Sequence, residues 1–212
     1  MRIDVFSDVV CPWCFVGKRR LEQALAAVKV ADAEIRWHAF QLNPDLPPGG
    51  VDRRQYLDSK FGPGAAQRIH ERLDAVGREA GIDFQFDKIE RSPNTLDAHR
   101  LLWLAGPQGR QGALKEALMK AYFTEGRDVG DAVVLADIAA AVGVAGDIPA
   151  FLAGEGGRQE VREELEQAAR LRISSVPFFI FEGRYALAGA QPPEVFAQAL
   201  AAARSTPDPS IV

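Results

Sequence analysis

Cysteine is scarce in this chain, histidine hardly commoner, and neither sign of charge dominates. The two cysteines, Cys11 and Cys14, are too few for a disulfide framework, which excludes a stapled miniprotein. The three histidines, His38, His70 and His99, lie far apart, and no second Cys-x-x-Cys accompanies the first. A zinc site needs about four ligands, so no metal is expected. No run approaches the ~20 apolar residues that cross a bilayer, and no membrane contact is expected. A net charge of -4 gives a phosphate backbone little to hold, which argues against nucleic acid as a partner. At 47% hydrophobic and 25% charged residues the composition is that of a globular protein, not of a disordered or collagen-like one. The 212 residues suffice for one domain with a sizeable core, or a small domain carrying an insertion.

No secretory leader is expected either. Asp4 and Asp8 interrupt the opening residues, where such a leader would carry a basic start and ~7–15 apolar residues. The expected location is therefore cytoplasmic, where thiols are kept reduced. In that setting Cys11 and Cys14 are better read as a working redox pair than as a structural disulfide.

What is present is alternation at both ends of the chain and helical periodicity between. Residues 2–7 alternate, with Ile3 and Val5 on one face, and residues 34–40 alternate again around Ile35, Trp37 and Ala39. Between them, 15–30 carries Leu21, Leu25 and Val28 at helical spacing. Strands joined through a helix favour parallel pairing and a right-handed crossover. The Pro- and Gly-rich run 43–50 must be loop. Helices are expected over 65–80, over 96–104 behind a cap at Asn94 or Thr95, around Leu114 to Tyr122, after Asp131 through Val142, and over 148–153. A charged helix over 159–171 should bury Val161, Leu165, Ala168 and Leu171. Strand signal returns at 176–181, turns at Glu182-Gly183 and resumes at 185–188, before a helix from Pro192 or Pro193 to Ala203 that turns Val195, Phe196 and Leu200 inward. The tail from Ser205 to Val212 is expected to fray.

The expected fold class is therefore α/β. Residues 1–43 and 158–212 form one four-stranded mixed sheet with flanking helices, and residues 44–157 are a helical insertion domain with no sheet of its own.

The sequence Cys11-Pro12-Trp13-Cys14 falls between the first strand and the first helix. A thiolate, not a thiol, attacks a disulfide, and a free cysteine with pKa near ~8.5 holds little thiolate at neutral pH. Unpaired N–H groups at a helix start stabilise the anion and can lower that value to ~3.5–7.5. Pro12 suits the first turn, where its missing N–H would have had no partner. Cys14, three residues on, returns to the same face. Cys11 is thus expected to be exposed and nucleophilic, and Cys14 buried and resolving.

The chain resembles the thioredoxin superfamily, within it the DsbA-like branch with a helical insertion, and most closely the FrnE-type dithiol oxidoreductases. The resemblance is carried by Ser7-Asp8-Val9-Val10-Cys11-Pro12-Trp13-Cys14, Trp37-His38-Ala39-Phe40-Gln41-Leu42-Asn43-Pro44, Asn94-Thr95-Leu96-Asp97-Ala98-His99-Arg100, Ser175-Val176-Pro177-Phe178-Phe179 and Gly189-Ala190-Gln191-Pro192. It implies a thioredoxin fold and a thiol–disulfide oxidoreductase or isomerase working through a mixed disulfide. It implies a cis bond at Pro177 beside the cysteines, with the Val176 backbone pairing an extended substrate. A proline is also tolerated as the first residue of a strand. Neither a metal nor a bound organic cofactor is called for; glutathione is open as a cosubstrate. The implied partners are disulfide-containing proteins or small thiols, and monomer and dimer are both open. The same branch holds glutathione-dependent isomerases of hydroxychromene carboxylates and kappa-class transferases, which typically place serine where Cys11 stands. They are the alternative reading.

Other residues weigh less. Trp13 offers an apolar contact to substrate or packs beside the loop. His99 lines the cleft over Cys11 or, more blandly, bonds locally within its helix. Asp8 takes protons or caps a turn. His38 reads as structural, His70 as solvated, and Phe178–Phe181 as the core of a central strand.

Overall fold

A computed structural model describes residues 1–30 and 32–205, so the expected frayed tail falls, beyond Ser205, outside the described residues. The chain opens with strand β1 (Arg2–Ser7), helix α1 (Pro12–Ala27) and strand β2 (Glu34–Ala39), and β1 and β2 pair in parallel, with Val5 beside Trp37. It closes with β5 (Phe178–Phe181), β6 (Tyr185–Ala188) and α9 (Pro193–Ser205). β5 runs antiparallel to β1, with Val5 opposite Phe179, and β6 continues the sheet in the order β2-β1-β5-β6.

Alternation decides which side chains reach each face of this sheet. Ile3, Val5, Phe179 and Phe181 pack with Leu21 of α1 and with Phe196 and Leu200 of α9. Phe179 and Phe196 meet edge to face at 4.8 Å. On the other face Phe6, Phe178 and Ile180 pack with Ala168 of helix α8 (Arg158–Arg170).

Between β2 and β5 lie β3 (Val51–Asp52), α2 (Arg53–Phe61), α3 (Ala65–Glu79), β4 (Arg91–Ser92), α4 (Leu96–Ala105), α5 (Gln111–Phe123), α6 (Ala132–Val142) and α7 (Ile148–Ala153). Asp131 caps α6 as expected, accepting from the N–H groups of Val133 and Val134. At α4 the side chain that serves is Asn94, whose Oδ1 accepts from Leu96 N at 2.9 Å. The core of these helices is continuous with α1. Phe15 stacks near Phe123, Phe84 and Phe86 complete the cluster, and Cys14 and Val16 belong to the same buried group. α5 also seals the free edge of β2: Gln111 accepts from Trp37 N at 2.9 Å and donates to Trp37 O at 3.0 Å. Bonds of this kind blunt an edge strand as a template for another chain.

Several expectations are corrected. The block 44–157 is not free of sheet, because β3 and β4 form a two-stranded antiparallel ribbon. Gly50 permits it: φ is +64°, and a Cβ there would lie 2.7 Å from the Ser92 carbonyl. Helix α2 was not anticipated, since it buries no residue and shows no apolar stripe; Asp52 starts it by accepting from Gln55 N at 2.8 Å. Leu171 is 49% exposed, because α8 ends at Arg170 and Arg172 turns the chain with φ 56°. Leu165 and Val195 are only half-buried. His70 is half-buried rather than fully solvated: it stacks on Phe86 at 4.2 Å, and burial and the charge of Arg53 hold its pKa down.

His38 is structural, and it makes stability depend on pH. Its Nε2 lies 3.0 Å from Asp4 and its Nδ1 3.2 Å from Glu164. Burial acts to lower its pKa, but the two carboxylates outweigh burial and raise it. A raised folded-state value stabilises in full below the unfolded value of about 6.5 and is lost as pH climbs through the folded value. His38→Gln should therefore cost most in urea unfolding at mildly acidic pH, and the gap to wild type should shrink by pH 8. A gap that widens with pH would refute this.

Candidate active site

Local rules bring the cysteines together. Cys11 is the N-cap of α1 in extended backbone (φ -93°, ψ 112°), and Pro12 opens the helix without leaving an N–H unused. The first turn closes on Cys11 O, which accepts from Cys14 N at 3.0 Å and Phe15 N at 3.3 Å. Both thiols are free. Cys14 is fully buried. Burial first, and then the neighbouring Cys11 sulfur, push its thiol well above the ordinary range; Lys115 and a backbone bond at Asp8 only partly offset them.

Cys11 departs from expectation. It is not exposed but only 4% accessible, at the floor of a cleft of about 510 Å³. Its Sγ lies 3.7 Å from the Val176 carbonyl. Pro12, Trp13 and Val176 line the same cleft, as the sequence suggested, and α2 and α3 form its far wall through residues such as Tyr56, Leu57 and Ile69. The Val176–Pro177 bond is cis. The Pro177 side chain does not line the cleft; it packs behind, on α1. A Cβ added at Gly17 would lie 2.8 Å from Pro177 Cγ and 3.1 Å from the Phe179 ring, so α1 approaches this loop as closely as only glycine allows.

His99, expected at the cleft, is elsewhere. It is buried in α4, with Nε2 3.4 Å from Asp8 Oδ1, close enough to act on that charge but not a well-formed hydrogen bond. Asp8 settles its own alternatives by becoming a buried anchor: its Oδ2 accepts from Leu42 N at 2.9 Å. Burial acts to raise its pKa, but His99, the Leu42 N–H and the charge of Lys115 prevail and hold it below the usual carboxylate value.

Lys115 was not anticipated at all. It is fully buried in α5, donates to Ser7 O at 3.4 Å, and faces the Trp37 ring at 5.6 Å. Burial pushes its ammonium down to about 8, against the pull of Cys14, Asp8 and Cys11. A signal existed: Lys115 shares the helix face of Leu118, Met119 and Tyr122, all buried. Ser7, Asp8, His99 and Lys115 thus form a polar group beneath the cysteines, sealed from water by the surrounding core. The arrangement supplies a thiol at the floor of a cleft, a second thiol behind it, and a buried amine whose charge acts on both.

Comparison with known proteins places this geometry. The model of the DSBA-like thioredoxin domain matches residues 2–201. SCO1869 of Streptomyces coelicolor, a probable DsbA oxidoreductase, shares 35% identity with a TM-score of 0.91, covering 99% of this chain and 92% of that one. The uncharacterized protein YwbO of Bacillus subtilis (strain 168) is 28% identical over 202 residues, 94% of this chain and 96% of its own. DsbM of Pseudomonas aeruginosa, a cytosolic disulfide reductase solved with GSH, shares the fold at 20% identity and a TM-score of 0.68, covering 96% and 100% of the two chains.

Proposed function

The chain belongs to the DSBA-like thioredoxin domain family, and from that premise we propose that it is a thiol–disulfide oxidoreductase working through Cys11 and Cys14. The observation that carries the reading is the pairing of an N-cap cysteine at a cleft floor with a buried cysteine one helical turn on. The Cys11 thiolate attacks a substrate disulfide, forming a mixed disulfide and releasing one thiolate. Cys14 then attacks Cys11 Sγ and releases the other. Because burial holds Cys14 as a thiol, that second step needs a proton acceptor. The charge of Lys115, fully buried in α5, acts on Cys14 and favours its thiolate as the proton leaves. The cis Val176–Pro177 segment presents the Val176 backbone at the cleft, where an extended substrate can pair with it. The glutathione-dependent isomerase reading gives Cys14 no task, whereas here Cys14 stands against Cys11.

The test is stoichiometric. Mixed with excess disulfide in a single turnover, the reduced protein should release two substrate thiols per chain and end with a Cys11–Cys14 disulfide, seen as the loss of two hydrogens in the intact mass. One thiol per chain with a persistent adduct would overturn the dithiol reading. Among the described residues, no helix is long and apolar enough to cross a membrane.

A further inference from the structure

We infer that the cleft over Cys11 selects low-molecular-weight disulfides that carry carboxylates; this rests on the dithiol reading and adds to it the class of substrate. In a chain of net charge -4, the cleft is lined by Arg53, Lys60 and Arg72 and by no aspartate or glutamate. All three cations come from α2 and α3, the wall facing the cysteine loop.

Their partners are neutral. Arg53 Nη1 donates to the Tyr122 hydroxyl at 2.9 Å, and its Nε is buried with no acceptor. Lys60 Nζ donates to Asn43 Oδ1 at 2.7 Å and to the Tyr56 hydroxyl at 2.6 Å. Arg72 lies over the Trp13 ring at 5.6 Å. Asp74 and Asp87 act on His70, which lines the cleft, but neither carboxylate lines it. Three cations with neutral partners and no carboxylate among the lining residues give the cleft a field of one sign, which draws anionic groups in.

The size of the substrate follows from access. A volume of about 510 Å³ is that of a small-molecule site. With Cys11 only 4% accessible, the disulfide must be inserted to the floor on a slender carrier. Within the cleft the Cys11 thiolate attacks one sulfur of RSSR, giving Cys11–S–S–R and RS⁻. Cys14, its proton passing to the first RS⁻, attacks Cys11 Sγ and expels the second RS⁻, which takes a proton from solvent. Two electrons pass from the protein dithiol to the disulfide, and two RSH and one protein disulfide result.

Stopped-flow single turnovers of the reduced full chain with three probes test the inference: oxidised glutathione (anionic), bis(2-hydroxyethyl) disulfide (neutral) and cystamine (cationic). Each rate is normalised to that of dithiothreitol with the same probe, which removes intrinsic reactivity. At low salt the normalised anion-to-cation ratio should be about 10–100, and it should fall towards unity as salt screens the cleft. Combining Arg53→Gln, Lys60→Gln and Arg72→Gln should lower that ratio about tenfold or more. If this variant fails to fold, Arg53→Gln alone and the salt series on wild type decide. Equal normalised rates, or a preference that survives both salt and substitution, would overturn the charge selection while leaving the dithiol reading intact. Faster reduction of insulin than of oxidised glutathione would overturn the small-substrate assignment. Reaction with no probe would overturn the dithiol reading itself.

Discussion

Cys11→Ser abolishes disulfide reduction, a loss of about a thousandfold or more, on the scale seen when a nucleophile is removed, while Cys14→Ser completes the first attack and stops at a mixed disulfide. The asymmetry follows from placement. Cys11 alone has its sulfur at the cleft floor, and a serine hydroxyl there can neither form a disulfide bond nor hold negative charge at neutral pH. Cys14 cannot substitute for it, being fully buried with its thiol pushed up by burial and by Cys11 itself. In Cys14→Ser the first step is untouched, but nothing behind Cys11 can expel the adduct. Thiol release in the insulin assay measures the first variant, and the intact mass after addition of a small disulfide measures the second. Turnover by Cys11→Ser would overturn the choice of nucleophile. Sustained turnover by Cys14→Ser would favour single-thiol chemistry of the isomerase type.

The parts of this design that sequence shows are those written in short range. Alternation around Ile3 and Val5 and again around Ile35 and Trp37 marked two strands that the structure pairs in parallel, and a proline after Cys11 marked the start of α1. Buried ions left fainter marks, because what makes them tolerable lies far along the chain. Lys115 is explained by Ser7 O and the charge of Asp8, more than a hundred residues earlier. His99 belongs with Asp8 rather than with the cleft, a pairing no periodicity reveals. Helix α2 buries nothing, so the wall that carries Arg53 and Lys60 had no hydrophobic signature, and the charge of the cleft emerges only when distant segments meet. Local pattern set the elements; the polar interior was set by tertiary contact.

Arg100 is the sharpest case of the second kind, and Arg100→Met should destabilise the protein by about 3–5 kcal/mol. Among residues of its size none is more enclosed, with no accessible surface at all. Its guanidinium makes five hydrogen bonds: Nε to Gly156 O at 2.7 Å, Nη1 to Asp97 Oδ1 at 2.7 Å and Leu152 O at 3.1 Å, and Nη2 to Phe151 O at 2.7 Å and Gly154 O at 2.6 Å. The backbone acceptors lie at the end of α7 and in the turn into α8, where, among the described residues, only Phe151 O has a main-chain donor of its own, Gly154 N. Replacing a buried ion pair with apolar side chains is often harmless when both partners go. Here four of the five acceptors are main-chain carbonyls that no substitution removes, and methionine leaves those of Leu152, Gly154 and Gly156 without their donor, Leu152 O being the buried one. Arg100→Lys should recover only part of the loss, since one ammonium cannot reproduce a planar fork with five donors. In thermal unfolding the methionine variant should melt lower by about 6–20 °C for a chain of this length. A shift within about 1 kcal/mol of wild type would mean that the α7–α8 turn reorganises without its arginine, and that the carbonyls find other donors.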